Sequence, residues 1–132
     1  MIPDEYVKNT MLETLGIDVV ELSENRAVAT MPVDNNTRQP MGILHGGASA
    51  VLAESVASLG AWNLINKETH YVVGLEINAN HLRGKKEGMV KALGTPVHRG
   101  RTTQVWEIKI VDETDKLICI SRCTIAVREK EA

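Results

Sequence analysis

A single carboxylate interrupts an uncharged stretch of chain. Between Arg38 and Lys67 the only formally charged side chain is Glu54. Burying an unpaired carboxylate is costly, so such a residue pairs with a cation, rises in pKa, or faces a polar cavity. A structural reading pairs Glu54 with an Arg, or with a His such as His81. A functional reading makes it a general base or nucleophile in a cleft, where perturbed carboxylates concentrate. Upstream lies Gln39-Pro40-Met41-Gly42-Ile43-Leu44-His45-Gly46-Gly47. Glycines at a helix start let backbone N–H groups approach a ligand, and that helix end favours negative charge. Such a start can serve as an oxyanion hole, or it can simply be a close-packed turn. His45 alone reads as a satisfied histidine. Gln39 reads either as a plain loop residue or as an amide donor to a carbonyl oxygen. Ser58 follows Glu54 by four positions, on the same helix face. It could bond the carboxylate or a water, or it could be one more small residue in a tight helix.

Several chemistries lack their motifs. The chain has no GxSxG elbow, Walker loop, GxGxxG or HExxH. Serine hydrolase, nucleotide triphosphatase, dinucleotide enzyme and zinc protease readings therefore lose support. No Cys/His group has zinc spacing, so no metal is expected. Cys119 and Cys123, four apart on a strand, would share a face about 13 Å apart. That is too far for a disulfide and leaves two buried thiols.

These residues need elements to hold them. The chain has 132 residues and 43% hydrophobic content, enough for one domain spanning 1–132. Aromatics make up only 3%, so aliphatic side chains must fill the core, and a base-stacking platform is excluded. The net charge of −2 points to no polyanion, so no nucleic-acid partner is expected. The N-terminus has no apolar run and carries Asp4, Glu5, Lys8 and Glu13. It is no signal peptide, and a cytoplasmic location is expected. The apolar stretch 43–65 contains Glu54 and several Gly and Ser, which makes a membrane span a poor reading.

Residues 3–15 read as a helix, with Pro3 in the first turn and Gly16 at the stop. Strands follow at 17–22 and 26–33, then a loop over 34–40. Gly46 to about Ile65 reads as one long helix. It has no charged face, so it is buried on most sides. Its Ala, Ser and Gly let other backbone come close, as a sheet wrapped around it would require. Strands over 72–82, 89–97, 103–111 and 118–127 complete the chain. In the first of these, Val73, Leu75, Ile77 and Ala79 form the apolar set. Short polar turns between consecutive strands imply antiparallel hairpins, so the fold class is α+β.

The run from Gln39 to Gly47, followed by Glu54, resembles the signature of hotdog-fold acyl-CoA thioesterases. The segments Gly74-Leu-Glu-Ile-Asn-Ala-Asn-His81 and Gln104-Val-Trp-Glu-Ile-Lys-Ile strengthen the likeness. It is nearest to the branch holding the phenylacetate-pathway, Glu-type 4-hydroxybenzoyl-CoA, enterobactin and menaquinone-pathway thioesterases. The resemblance implies a long helix wrapped by a curved antiparallel sheet. It makes Glu54 the catalytic carboxylate, as nucleophile or as base on water, and gives Gly46 N–H to the thioester carbonyl. Gln39 would help polarise or orient that carbonyl, His45 would support the thioester or leaving-group side, and Ser58 would lie near the attacking water. His81 would fall in an active-site or pantetheine contact region. The basic turns holding Arg83 and holding Arg99 and Arg101 would meet the coenzyme A phosphates, or else be solvated turns. The substrate would be an acyl-CoA or acyl-carrier-protein thioester, with no cofactor beyond the coenzyme A it carries. The site would lie between two subunits of a homodimer, with dimers pairing into a homotetramer. A non-catalytic acyl-CoA-binding protein and an acyl-thioester dehydratase share the fold, but dehydratases place PG where this chain has His-Gly-Gly.

Overall fold

The computed structural model describes residues 1–131. The elements run as a 3-10 turn at Asp4–Tyr6, then α1 (Met11–Leu15), β1 (Asp18–Leu22), β2 (Ala27–Val33) and α2 (Gly46–Leu64). The rest is β3 (His70–His81), β4 (Gly88–Arg99), β5 (Thr103–Val111) and β6 (Leu117–Glu129). The six strands form one antiparallel sheet in the order β1-β2-β4-β5-β6-β3. The long helix packs across it, as its uncharged sequence predicts. Among the described residues, no helix is long and apolar enough to cross a membrane.

Small residues set how closely helix and sheet approach. Ala48, Ser49, Ala53, Ala57, Gly60 and Ala61 of α2 are buried. A side-chain carbon at Gly60 would overlap the ring of Trp106, which is itself fully buried in β5. One at Gly94 of β4 would come within 2.6 Å of Val56 Cγ1. The indole N–H of Trp106 donates to Gln104 Oε1 at 2.9 Å, so the buried ring leaves no unpaired donor.

Two expectations need correction. The single helix over 3–15 is broken. Asn9 lies in the left-handed region (φ 61), a conformation Asn tolerates better than most residues. A new helix then starts at Thr10, whose hydroxyl accepts from Leu12 N–H at 3.2 Å. Gly16 ends it in the left-handed conformation, as predicted. The second correction concerns β3. Its register with β6 shifts between Gly74 and Glu76, so the alternation of faces slips partway along. Val73 and Leu75 are therefore exposed, and Val72, Ile77 and Ala79 pack against the core instead. Both cysteines are buried free thiols on β6. Burial pushes the Cys123 thiol up to about 12, aided by the charges of Glu54 and Glu76, and burial raises Cys119 as well.

Candidate active site

The loop from 34 to 45 delivers the chain to the start of α2, and a buried threonine folds it. Thr37 Oγ1 donates to Pro32 O at 2.9 Å and accepts from Asp34 N–H at 3.0 Å. His45 N–H donates to Thr37 O at 2.8 Å, which ties the helix start to this knot. Gln39 sits in a tight turn closed by its own N–H to Ile43 O and by left-handed Gly42 (φ 84). Its side-chain oxygen accepts from Met41 N–H. The amide NH2 of Gln39 therefore remains free to donate elsewhere.

His45 is the N-cap of α2. Its Nδ1 accepts from Gly47 N–H at 2.8 Å, so the ring proton sits on Nε2 and that nitrogen is a donor. Gly47 must be glycine for this cap, because a Cβ there would stand 2.9 Å from His45 Nδ1. Gly46 N–H has no acceptor among the described residues. It is one of the orphan donors that every helix start leaves. A Cβ on Gly46 would lie 2.7 Å from His81 Nε2, so the imidazole of β3 packs directly over this N–H-bearing turn. Gln39, Gly46, His81 and Arg83 together line a hollow of about 350 Å³.

The turn that carries Arg83 is braced from two sides. Lys85 O accepts from Leu44 N–H at 2.8 Å, and Lys86 O accepts from Arg38 Nε at 3.0 Å. Lys85 Nζ itself is 2.6 Å from Glu113 Oε1, and Glu113 also accepts from Met89 N–H. The Lys85 ammonium and that N–H hold the Glu113 carboxyl down at about 2. Within this basic turn Lys85 is thus engaged by Glu113, while Arg83 faces the hollow.

Glu54 lies elsewhere. It follows Gly46 by eight positions, about 12 Å along the helix axis. It is half-buried, and no described residue gives it a hydrogen bond or ion pair. The pairing with an Arg or with His81 is not formed. Its carboxylate rests against Gly74 of β3, at the bulge, where any Cβ would overlap Oε2. With Ser58, Met11, Leu12, Val51 and Leu59 it lines a second hollow of about 420 Å³. The expected i+4 neighbourhood of Glu54 and Ser58 is present. Arg99 and Arg101 line a third hollow, with His70 and Leu64, at the opposite end of α2. One chain therefore gathers Gln39, Gly46, His81 and Arg83 around one hollow, with His45 beside Gly46 as the exposed N-cap, and separately Glu54 and Ser58. It does not gather all of them.

Three supporting features escaped the sequence reading: the contact of Gly74 with Glu54, the Thr37 knot and the Lys85–Glu113 pair. Gly74 was signalled by a glycine inside a strand, which marks a bulge or a close approach. Thr37 and the Lys85–Glu113 pair carried no local signal, because their partners are distant in sequence or buried by the fold.

The described chain is thus a mixed α+β domain with an orphan N–H at the start of α2 and an unpaired carboxylate about two turns along the same helix. Comparison with known proteins names the family. The sequence profile of the thioesterase superfamily matches residues 41–119. The 1,4-dihydroxy-2-naphthoyl-CoA hydrolase of Listeria monocytogenes is 54% identical over 118 residues, 89% of this chain and 95% of that one. The Bacillus subtilis protein ComA2 is 61% identical over 124 residues, 94% of this chain and 98% of its own. The crystal structure of thioesterase HI1161 from Haemophilus influenzae superposes with a TM-score of 0.90 at 45% identity, covering 95% of this chain and 87% of that one. The chain belongs to the thioesterase superfamily, has the hotdog fold, and is a thioester hydrolase.

Proposed function

We propose that this protein hydrolyses an acyl-CoA thioester to the free acid and coenzyme A, using Glu54 of one subunit and the α2 start of another. The observation that carries this reading is the unpaired Glu54 carboxylate beside Ser58, about 12 Å along the helix from the orphan Gly46 N–H. A carbonyl carbon under attack must sit about 3–3.5 Å from its nucleophile. Within one chain, Glu54 and Gly46 cannot serve the same carbonyl, but two antiparallel copies can. The long edge strand β3, with exposed Tyr71, Val73 and Leu75, suits pairing with a second copy. A dimer of this kind has two sites, and two dimers can associate further into a homotetramer.

In the proposed reaction the carbonyl oxygen accepts from Gly46 N–H, with the Gln39 amide and His45 Nε2–H as further donors. These dipoles meet the negative charge that develops on that oxygen. Glu54 then attacks the carbonyl carbon and expels the thiolate, and water hydrolyses the resulting anhydride. Alternatively Glu54 takes a proton from a water held by Ser58, and that water attacks. Either route yields acid, thiol and free Glu54. A thiolate leaves readily, so the reaction needs no metal and no cofactor beyond the coenzyme A of the substrate. His81 and Arg83 line the hollow at the donor end and suit the pantetheine arm and a phosphate. Arg99 and Arg101 would meet the nucleotide phosphates only from the partner subunit.

The likeness to a dihydroxynaphthoyl-CoA hydrolase supports an aromatic acyl group as substrate, and the proposed role of Glu54 is that of the Glu-carboxylate branch, with the cytoplasm as the proposed place of work. Acyl-carrier-protein thioesters offer the same reacting group. The test is thiol release from aromatic and aliphatic acyl-CoAs by the wild type and Glu54→Ala. The expected result is release by the wild type and its near-complete loss in the variant, with coenzyme A binding retained. Equal turnover by the variant would remove Glu54 from the reaction, and no release from any thioester would overturn the reading.

A further inference from the structure

The N-terminal segment has no place in the chemistry above, yet it reaches the second hollow. Met11 and Leu12 of α1 line it together with Val51, Leu59, Glu54 and Ser58. Met11 is 56% exposed, and its side chain borders the same apolar-walled hollow as the Glu54 carboxylate. The five residues of α1 are too few to form a helix unaided. The segment is held by tertiary contacts instead. Leu12 and Leu15 pack against the core. Upstream, the Tyr6 ring meets Trp62 of α2 edge-on, with centroids 5.4 Å apart and planes at 69°. Lys67 Nζ lies 4.4 Å from the centre of the same indole ring. The chain has only four aromatic residues, and two of them form this clasp. Between clasp and helix, left-handed Asn9 turns the chain so that α1 lies over the Glu54 face.

We infer that residues 3–15 form a strap that builds the outer wall of the acyl pocket, with Met11 as a residue that sets acyl-group specificity and Tyr6–Trp62 as the clasp that positions it. The inference rests on the proposed role of Glu54, because the acyl carbonyl must lie beside that carboxylate. The rest of the acyl group then has apolar walls on two sides: Val51 and Leu59 from α2, and Met11 and Leu12 from the strap. A hollow of about 420 Å³ with these walls takes a ring or a medium-length chain. An acetyl group would be too short to touch the strap. Methionine suits a wall that meets acyl groups of differing shape, because its unbranched thioether adapts.

The experiment measures kcat and KM for benzoyl-CoA, octanoyl-CoA and acetyl-CoA with wild type, Met11→Ala, Met11→Leu, Tyr6→Ala and Glu54→Ala. Truncating Met11 removes several apolar groups from the wall, and one lost methylene-sized contact changes discrimination by tenfold or more. The benzoyl-to-acetyl ratio of kcat/KM should fall about tenfold in Met11→Ala, chiefly through KM. Met11→Leu should restore most of it. Tyr6→Ala, which leaves the pocket residues in place and frees the strap, should shift the ratio in the same direction. If Glu54→Ala retains full turnover, the acyl group does not lie here and the catalytic reading fails. If Glu54→Ala is inactive while Met11→Ala and Tyr6→Ala keep the wild-type ratio, the strap inference alone is overturned.

Discussion

Replacing Gly46 by alanine should separate activity from stability. Gly46 is the first residue of α2, at an ordinary φ, so alanine fits the backbone there. Removing a glycine from a helix is worth up to about 1 kcal/mol, and for a domain of this size that raises Tm by about 4 °C. The new methyl meets the His81 ring, however, at 2.7 Å from Nε2 and 3.0 Å from two ring carbons. Ordinary contact begins at 3.4 Å, so the imidazole must retreat by roughly 0.7 Å into the hollow that Gln39 and Arg83 share. His81 is exposed, so the ring can move and the fold survives. The donor end of the site does not survive unchanged. Misplacement of this size costs on the order of 100-fold in rate, comparable to loss of one oxyanion donor. Differential scanning calorimetry and thiol release on the same preparation test this. The expected outcome is Tm equal to or above wild type with kcat down about 100-fold. A kcat within threefold of wild type would refute the placement of the carbonyl at Gly46. A fall in Tm that matched the fall in activity would refute the separation.

Three further outcomes follow from the packing and charges. Gly60→Ala forces a methyl into the buried Trp106 ring, an overpacking of about 1–3 kcal/mol. Its Tm should drop by several degrees, with KM unchanged. Glu113 titrates at about 2 in the fold against 4.5 ordinarily, so it contributes stability above pH 4.5 that is lost as pH falls toward 2. The Tm difference between wild type and Glu113→Gln should therefore be full at pH 7 and shrink through that window; a difference constant with pH would contradict the Lys85–Glu113 pair. Cys119 and Cys123, buried and with raised pKa, should resist Ellman's reagent in the native protein and both react after unfolding; rapid native labelling would contradict their burial.

Much of the architecture was legible because it rests on composition that acts locally. A helix of small residues lets a sheet come close, and α2 buries one face against the sheet; the sequence reads burial on most sides, but in the single chain the Glu54 face stays half-exposed. The donor end was legible too: Gln39, His45 and Gly46 are close in sequence and one loop gathers them. The bulge at Gly74 was not legible, because strict alternation reads Val73, Leu75, Ile77 and Ala79 as one face until a register shift moves the first two outward. Nor was the break at Asn9, where favourable helix signals on both sides hid one left-handed residue. The ion pair of Lys85 with Glu113 joins two turns distant in sequence, and no local pattern marks it. The separation of Arg99 and Arg101 from Arg83 follows from which end of α2 each hairpin reaches, a property of the topology.

The central claim is that a working site takes Glu54 from one chain and Gln39, His45 and Gly46 from another. Two differently tagged chains, one Glu54→Ala and the other Gln39→Ala/His45→Ala, should each be inactive alone. Co-expressed and purified through both tags, a two-fold symmetric pair has one site with both defects and one intact site, so thiol release should recover to about half of wild type. A mixed assembly as inactive as its parents would contradict the shared site.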